Sequence, residues 1–169
     1  MISGFCDLFD GSIAKTRKRN ELEKKFGIQI DSLADLICFG VLPVAVGYSV
    51  GLTRWYEAIP LMLYALAALI RLAYYNVTED LLQVKEQTAR THYDGMPVTT
   101  VALLVPLVYT LRPVLHDNFK YLYGAWLLVI AVAFLAKVKV KKLGMRGMVT
   151  AALLGVAVLI ALIAGWNEW

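Results

Sequence analysis

Residues 55–77 read WYEAIPLMLYALAALIRLAYYNV. Within this stretch only Glu57 and Arg71 carry a charge, and most of the other residues are apolar. A helix needs about 20 mostly apolar residues to cross a bilayer. The stretch also lacks the continuous polar face that a helix on the surface of a soluble protein shows. It therefore predicts a transmembrane helix.

Four further segments have the same character. With this one, the predicted spans are Asp31–Leu52, Trp55–Val77, Pro97–Leu115, Phe119–Ala136 and Gly147–Trp166. Apolar residues make up 59% of the chain, whereas roughly half is usual in soluble domains. The links between the spans leave no room for a soluble domain. The sequence predicts an all-α polytopic membrane bundle of about five spans plus a short N-terminal motif helix, all in one domain over residues 1–169.

The basic residues predict how the bundle lies in the membrane. Of the 17 lysines and arginines, Arg54, Arg112 and Lys120 fall on one side of the threaded spans, and Arg71 lies within a span. All the others fall on the side of the loop that follows residue 14, which the positive-inside rule assigns to the cytoplasm. The net charge of +4 therefore reflects membrane topology, and we expect no nucleic-acid partner.

Two groups of acidic and small residues stand at helical spacing near the cytoplasmic edge of the bilayer. If residues 7–14 are helical, one face presents Asp7, Asp10, Gly11 and Ala14. If residues 27–39 are helical, one face presents Gly27, Asp31, Asp35 and Cys38. The loop between them is short, which predicts two antiparallel neighbouring helices that bring four carboxylates together.

Four clustered carboxylates require a cation. Two carboxylates 4 Å apart repel each other by about 4 kcal/mol at an effective dielectric near 20. Oxygen ligands without histidine favour Mg²⁺ or Mn²⁺, with Ca²⁺ as a further candidate, over zinc. Four carboxylates can hold two ions, an arrangement that suits attack at phosphorus. The alternative is that the aspartates are solvated at the interface. Cys6 and Cys38 are interpreted as small apolar residues and not as ligands.

These residues resemble a known family. The pattern Asp7-x2-Asp10-Gly11-x2-Ala14, followed by Gly27-x3-Asp31-x3-Asp35, is similar to the signature of the CDP-alcohol phosphotransferases. The resemblance runs from about Cys6 to Pro113.

Three longer stretches narrow the resemblance. Asp31–Pro43, Ile70–Asn76 and Gly95–Thr99 are similar to the bacterial and archaeal phosphatidylserine synthase branch of the family. The phosphatidylglycerophosphate synthase branch typically has Asp-Pro and Asp-Lys where this chain has Asp31-Ser32 and Asp35-Leu36.

The resemblance implies a metal-dependent transfer of a phosphatidyl group from CDP-diacylglycerol to the hydroxyl of L-serine, which gives phosphatidylserine and CMP. Carried over by position, the ligands of two divalent ions would be Asp7, Asp10, Asp31 and Asp35, and Asp35 would also be the catalytic base. The CDP-lipid would contact Asp7, Gly11, Ala14 and Lys15, although the family usually has arginine in place of Lys15. The resemblance further implies a homodimer in a prokaryotic cell membrane, surrounded by membrane lipids, with its active site facing the cytoplasm.

Arg71 is the residue expected to select the acceptor. A guanidinium can form two parallel hydrogen bonds with a carboxylate, which serine has and glycerol phosphate or inositol phosphate lacks. Asn76, Thr99 and Thr100 could add hydrogen bonds to the acceptor. For Arg71 the alternative is a side chain that extends to the membrane interface. A second alternative is an enzyme that uses the same metals but transfers to another acceptor alcohol, such as glycerol phosphate or inositol phosphate.

The start of the chain departs from the family. Family members normally carry membrane helices before the first aspartate, whereas Met1 stands six residues before Asp7. We therefore expect a sequence that lacks N-terminal helices through truncation or a late start. The alternative is a shortened relative that serves as a non-catalytic membrane subunit.

Overall fold

The computed structural model describes residues 20–84, 92–94, 96–136, 139–141 and 145–164 of the 169-residue chain. Within these ranges the helices are α1 (Glu21–Asp35), a π-helical segment (Leu36–Val41), α2 (Leu42–Ser49), α3 (Ala58–Val84), α4 (Val101–Tyr109), α5 (Arg112–Leu115), α6 (Phe119–Leu135) and α7 (Met145–Ala164), with 3-10 turns at Val98–Thr100 and His116–Asn118. Two short strands, β1 (His92–Asp94) and β2 (Lys139–Lys141), pair antiparallel with Tyr93 opposite Val140. The all-α prediction is confirmed, and the strand pair is a small addition to it.

Two of the five predicted spans coincide with helices that are long and apolar enough to cross a membrane. These are Glu21–Ser49, which joins α1, the π-helical segment and α2, and Ala58–Thr78 within α3. Two shorter apolar helices, Val98–Tyr109 and Phe119–Leu135, fall in the third and fourth predicted spans. The helix α7 covers most of the fifth.

The first long helix begins well before the span that was predicted to start at Asp31. Asn20 caps it: the Asn20 side-chain oxygen accepts from the Glu23 amide at 2.8 Å, and the Glu23 carboxylate accepts from the Asn20 amide at 3.0 Å. This reciprocal pair satisfies two amides that would otherwise lack a helical partner. The polar residues after Asn20 therefore continue the span as one helix.

The third predicted span, Pro97–Leu115, is wrong as a single helix. The helix α4 ends at Tyr109, and the short α5 begins at Arg112. Pro113 explains the break, because it has no N–H for the Tyr109 carbonyl four residues earlier and its ring would clash with that carbonyl.

Pro43 accompanies an irregularity in the middle of the first long helix. It has no N–H for the carbonyl of Phe39, four residues earlier, and the segment just before it is π-helical. The hydroxyl of Tyr64 donates a hydrogen bond to the Phe39 carbonyl. A π-helical turn inside an α-helix is frequent at functional sites, and this one begins directly after Asp35.

The core lies where α3 packs against α6. Tyr64 on α3 and Tyr123 on α6 are completely buried, and the Tyr123 hydroxyl donates to the Pro43 carbonyl at 2.9 Å. The indole N–H of Trp126 donates to the Leu104 carbonyl at 3.1 Å, which joins α6 to α4. Many large apolar side chains on the outer faces of the helices are exposed. Soluble monomers rarely expose apolar surface of this extent, whereas a membrane bundle presents it to lipid.

We expect Gly47→Ala to destabilise the fold. An added Cβ would lie 2.6 Å from Leu61 Cδ2 and 3.1 Å from Tyr123 Cε1, and both neighbours are buried. Overpacking of this kind costs about 1–3 kcal/mol. Thermal unfolding in detergent measures the loss, with Gly124→Ala as the matched control, because its Cβ would meet no atom closer than 3.6 Å. Equal melting temperatures for the two variants would contradict the packing argument.

A buried acid holds the loop before α3. Glu57 is 4% exposed; one of its carboxylate oxygens accepts from the amides of Thr53 and Arg54 at 3.1 and 3.0 Å. Lys120 Nζ, on α6, donates to the other oxygen at 2.9 Å. The hydrogen bond from Lys120, and then that from Arg54, hold the pKa of the Glu57 carboxyl below its ordinary value.

This lowered pKa predicts a pH-dependent stability. Glu57 stabilises the fold above its ordinary pKa of 4.5 and loses that contribution as the pH falls through the lower pKa of the folded state. Below about pH 4.5, the melting temperature of the wild type should therefore fall more steeply than that of Glu57→Gln. Glu21→Gln is the control, because the Glu21 carboxylate is 83% exposed in its pair with Lys24, and it should follow the wild type. Parallel profiles for Glu57→Gln and the wild type would rule out this role.

Candidate active site

Two aspartates lie near the end of α1. Asp31 and Asp35 are both helical and four residues apart, so their side chains leave the same face of the helix. Asp31 is exposed and Asp35 is half-buried. The last turn of α1 contains no basic residue. This face thus offers two oxygen donors of the kind that Mg²⁺ and Mn²⁺ prefer.

Five predicted site residues lie outside the described residues: Asp7, Asp10, Gly11, Ala14 and Lys15. Within the described part of the chain, no group of three or more His, Cys, Asp or Glu side chains is arranged to hold a metal. The two carboxylates of α1 fit half of the expected donor set, and the four-carboxylate site stays a prediction. Cys38 is half-buried and packs against the core, which agrees with a small apolar residue.

Two contacts fix how α1 and its continuation lie against α3. Near one end, Asn76 Nδ2 donates to Ser32 Oγ at 2.7 Å, and Ser32 Oγ lies 3.0 Å from Asn76 Oδ1, to which its hydroxyl can donate. Eight residues further along, a Cβ on Gly40 would lie 3.5 Å from the Cβ of Ala68, which is eight residues before Asn76. The helices are therefore antiparallel neighbours in a constant register.

This register brings Arg71 to the level of the acidic face. Counted from either contact, Asp35 lies opposite residue 73, two residues from Arg71, which is about 3 Å along the helix axis. Arg71 is 5% exposed, and its Nε donates to the Met96 carbonyl at 2.8 Å. The alternative in which Arg71 extends to the membrane interface is wrong, because the side chain is buried inside the bundle.

The Arg71–Met96 bond also brings the next segment to this end of the bundle. Thr99 lies in the 3-10 turn directly after Met96 and Pro97 and is half-buried. The Thr100 hydroxyl donates to the Pro97 carbonyl, so it has a local partner. By this register and the bond to Met96, Arg71, Thr99 and the Asp35 end of α1 lie toward one end of the bundle, and the Asn76 amide is bonded to Ser32.

Sequence reasoning missed Ser32 and the Met96 carbonyl. In the sequence, Ser32 served only to distinguish the synthase branch of the family. Its position beside two aspartates could have indicated a hydrogen-bonding partner. No local pattern points to the Met96 carbonyl, because its partner lies 25 residues away in the chain.

The sequence of this chain is similar to those of known proteins. Residues 1–137 match the family model for CDP-alcohol phosphatidyltransferases. Over 125 residues, the chain is 35% identical to the CDP-diacylglycerol–serine O-phosphatidyltransferase of Saccharomyces cerevisiae, an alignment that covers 72% of this chain and 44% of that protein. Over 114 residues, it is 33% identical to the Bacillus subtilis protein of the same name, with 66% of this chain and 58% of that protein covered. A Helicobacter pylori relative with this name is 28% identical over 140 residues, which are 78% of this chain and 55% of that protein.

The chain spans about half the length of these relatives. The family match nevertheless covers most of the chain and includes every residue of the predicted site. With this match and two helices long enough to cross a bilayer, the chain is a membrane protein. It belongs to the CDP-alcohol phosphatidyltransferase family.

Proposed function

We propose that this protein transfers the phosphatidyl group of CDP-diacylglycerol to the hydroxyl of L-serine, with phosphatidylserine and CMP as products. The observation that carries the proposal is the register of α1 and α3, which places Asp35 within about 3 Å of the level of Arg71 along the helix axis, with Asp31 one turn further along the same face. The face proposed to bind metal and the group proposed to recognise a carboxylate would then lie at one end of the bundle. The names of the related yeast and bacterial proteins support the same substrates.

Divalent metal is part of the proposal. Asp31 and Asp35 fit a hard cation, since they are oxygen donors on one helix face without a basic residue in that turn. With Asp7 and Asp10 they would hold two Mg²⁺ or Mn²⁺ ions, and Ca²⁺ would suit the same ligands. When bound, such ions neutralise the charge of the diphosphate and of the departing phosphate.

Asp35 is the proposed base. The serine hydroxyl oxygen forms a bond to the phosphorus that carries diacylglycerol, and the bond from that phosphorus to the bridging oxygen of CMP breaks. The hydroxyl proton passes to the Asp35 carboxylate, and CMP leaves with the electron pair of the broken bond. A serine hydroxyl is a weak nucleophile until a base within hydrogen-bond reach takes its proton. The half-buried position of Asp35 supports this role better than the exposed position of Asp31.

Arg71 is proposed to bind the carboxylate of serine. The Met96 carbonyl accepts from Nε at 2.8 Å and so orients the guanidinium plane, whose terminal nitrogens form the fork that matches a carboxylate. Thr99, three residues after Met96, is the proposed second contact to the acceptor. Asn76 was expected to be a third, and that role stays a prediction.

The proposal also covers the residues that bind the CDP-lipid and the state of the protein in the membrane. Asp7, Gly11, Ala14 and Lys15 would contact the CDP-lipid. The whole chain would form one membrane domain, which the contact of α7 with α4 supports. We further propose a homodimer whose active site faces the cytoplasm. A prokaryotic cell membrane is also proposed, although the relatives come from both yeast and bacteria.

The purified 169-residue chain in lipid nanodiscs tests the function. CDP-diacylglycerol and Mn²⁺ are supplied with L-serine, glycerol 3-phosphate or inositol phosphate, and CMP release and the lipid product are measured. We expect phosphatidylserine with serine alone, loss of activity with EDTA and recovery with added Mn²⁺. A product only from glycerol 3-phosphate or inositol phosphate would assign a different acceptor. No product with any acceptor would support a non-catalytic subunit.

A further inference from the structure

We infer that Ser32 and Asn76 form a positioning pair that holds the Asp31–Asp35 face of α1 in register with α3. The inference rests on the proposed function, because it assigns the pair to the arrangement of the proposed metal ligands. In this role Asn76 acts through Ser32, which is an alternative to the acceptor contact predicted from the sequence.

The contact is a side-chain clasp between distant parts of the chain. The Ser32 hydroxyl stands in front of the Asn76 amide, 2.7 Å from Nδ2 and 3.0 Å from Oδ1, and both side chains are half-buried. The two residues are 44 positions apart. A primary amide and a hydroxyl each offer donor and acceptor groups, so the pair satisfies itself without a charge that would compete for the neighbouring carboxylates.

The location of the clasp matters because most residues of α1 are exposed and Ser32 is one of the few that are half-buried. No residue of α1 is buried, so apolar packing does not set its rotation. Beyond the end of α1, about two turns from Ser32, the chain contacts α3 at Phe39, whose carbonyl accepts from the Tyr64 hydroxyl, and at Gly40, which faces Ala68. Between these two points lies Asp35, and Asp31 directly precedes Ser32. The clasp is therefore placed to help set the rotation and depth of both carboxylates.

The expected size of the effect follows from losses that are typical of residues that orient metal ligands. Residues that orient metal ligands typically change metal affinity or activity by about 10- to 100-fold when they are lost. A misplacement of about 1 Å can cost about 100-fold in rate. We expect Ser32→Ala and Asn76→Ala each to weaken Mn²⁺ binding and lower kcat by about 10-fold.

The test uses the full chain in nanodiscs, with Mn²⁺ alone as the probe of metal binding. Mn²⁺ affinity, kcat, KM for serine and melting temperature are measured for Ser32→Ala, Asn76→Ala, their double variant and Ser32→Thr. Ser49→Ala and Asn118→Ala are matched controls. The Ser49 hydroxyl donates only locally, to the Val46 carbonyl, and Asn118 makes no side-chain cap bond.

A positioning pair gives a particular pattern. Mn²⁺ affinity and kcat should fall together in both single variants, KM for serine should stay within about 2-fold, and the double variant should be no worse than the poorer single one. Ser32→Thr, which keeps the hydroxyl, should retain most of the activity, and the two controls should resemble the wild type.

Other outcomes overturn the inference. A raised KM for serine with unchanged Mn²⁺ affinity in Asn76→Ala would make Asn76 an acceptor contact. A lowered melting temperature with unchanged Mn²⁺ affinity and kcat would reduce the pair to a structural role. If the wild type binds Mn²⁺ and makes phosphatidylserine, either result refutes the pair and leaves the proposed function intact. A wild type that takes up no Mn²⁺ would overturn both.

Discussion

Asp35→Asn is expected to lower kcat for phosphatidylserine formation by about 10³-fold, the middle of the range for loss of a general base. The amide has the shape of the carboxylate, but it cannot accept the proton of the serine hydroxyl and is a weaker metal ligand. The substitution removes a charge from the end of α1, which has no buried residue, so the fold should persist. CMP release under saturating serine and CDP-diacylglycerol measures the loss, and the melting temperature checks the fold.

Two further variants separate the base from the ligand. Asp31→Asn removes a proposed metal ligand only, so a large excess of Mn²⁺ should restore part of its activity and little of that of Asp35→Asn. Glu21→Gln removes a charge from the first turn of the same helix and should keep wild-type kcat. If excess Mn²⁺ restored Asp35→Asn as fully as Asp31→Asn, Asp35 would be a ligand without a role in proton transfer.

The sequence predicted the positions of the long helices better than the residues at which they begin and end. Apolar runs located the long helices, because burial in lipid depends on local composition. The start of α1 was missed, although Asn20 and Glu23 form the spacing of a capping box. The break after Tyr109 was also missed, although Pro113 stands four residues later. In both cases the information was local, but a hydropathy pattern does not contain it.

In the site, too, local features could be predicted from the sequence and contacts between distant residues could not. The shared face of Asp31 and Asp35 follows from a spacing of four within one helix, so the sequence could predict it. Ser32 meets Asn76 across 44 positions, and this contact depends on how two helices pack, which no local pattern encodes. The choice of Arg71 rested on its place inside a predicted span and on the match of its guanidinium to a carboxylate. Its burial agrees with that reasoning, and its Met96 partner could not have been foreseen.

Arg71→Lys is expected to raise KM for serine by about 10- to 100-fold, because hydrogen bonds to charged groups contribute about 1.5–3 kcal/mol and each 1.4 kcal/mol is a factor of about ten. Lysine keeps the charge but loses the planar fork. It also has no group equivalent to Nε, which donates to the Met96 carbonyl at 2.8 Å. Initial rates over a range of serine concentrations measure KM and kcat.

The control separates recognition from a general effect of removing an arginine. Arg112→Lys makes the same exchange after the far end of α4, where the guanidinium donates to the Tyr109 hydroxyl, and its KM should stay at the wild-type value. Since the carboxylate of serine takes no part in bond formation, loss of its partner should weaken the bound substrate and the transition state alike, and KM should rise with little change in kcat. A kcat that fell with an unchanged KM would indicate that Arg71 binds the diphosphate and not the acceptor. Unchanged values of both constants would remove it from the active site.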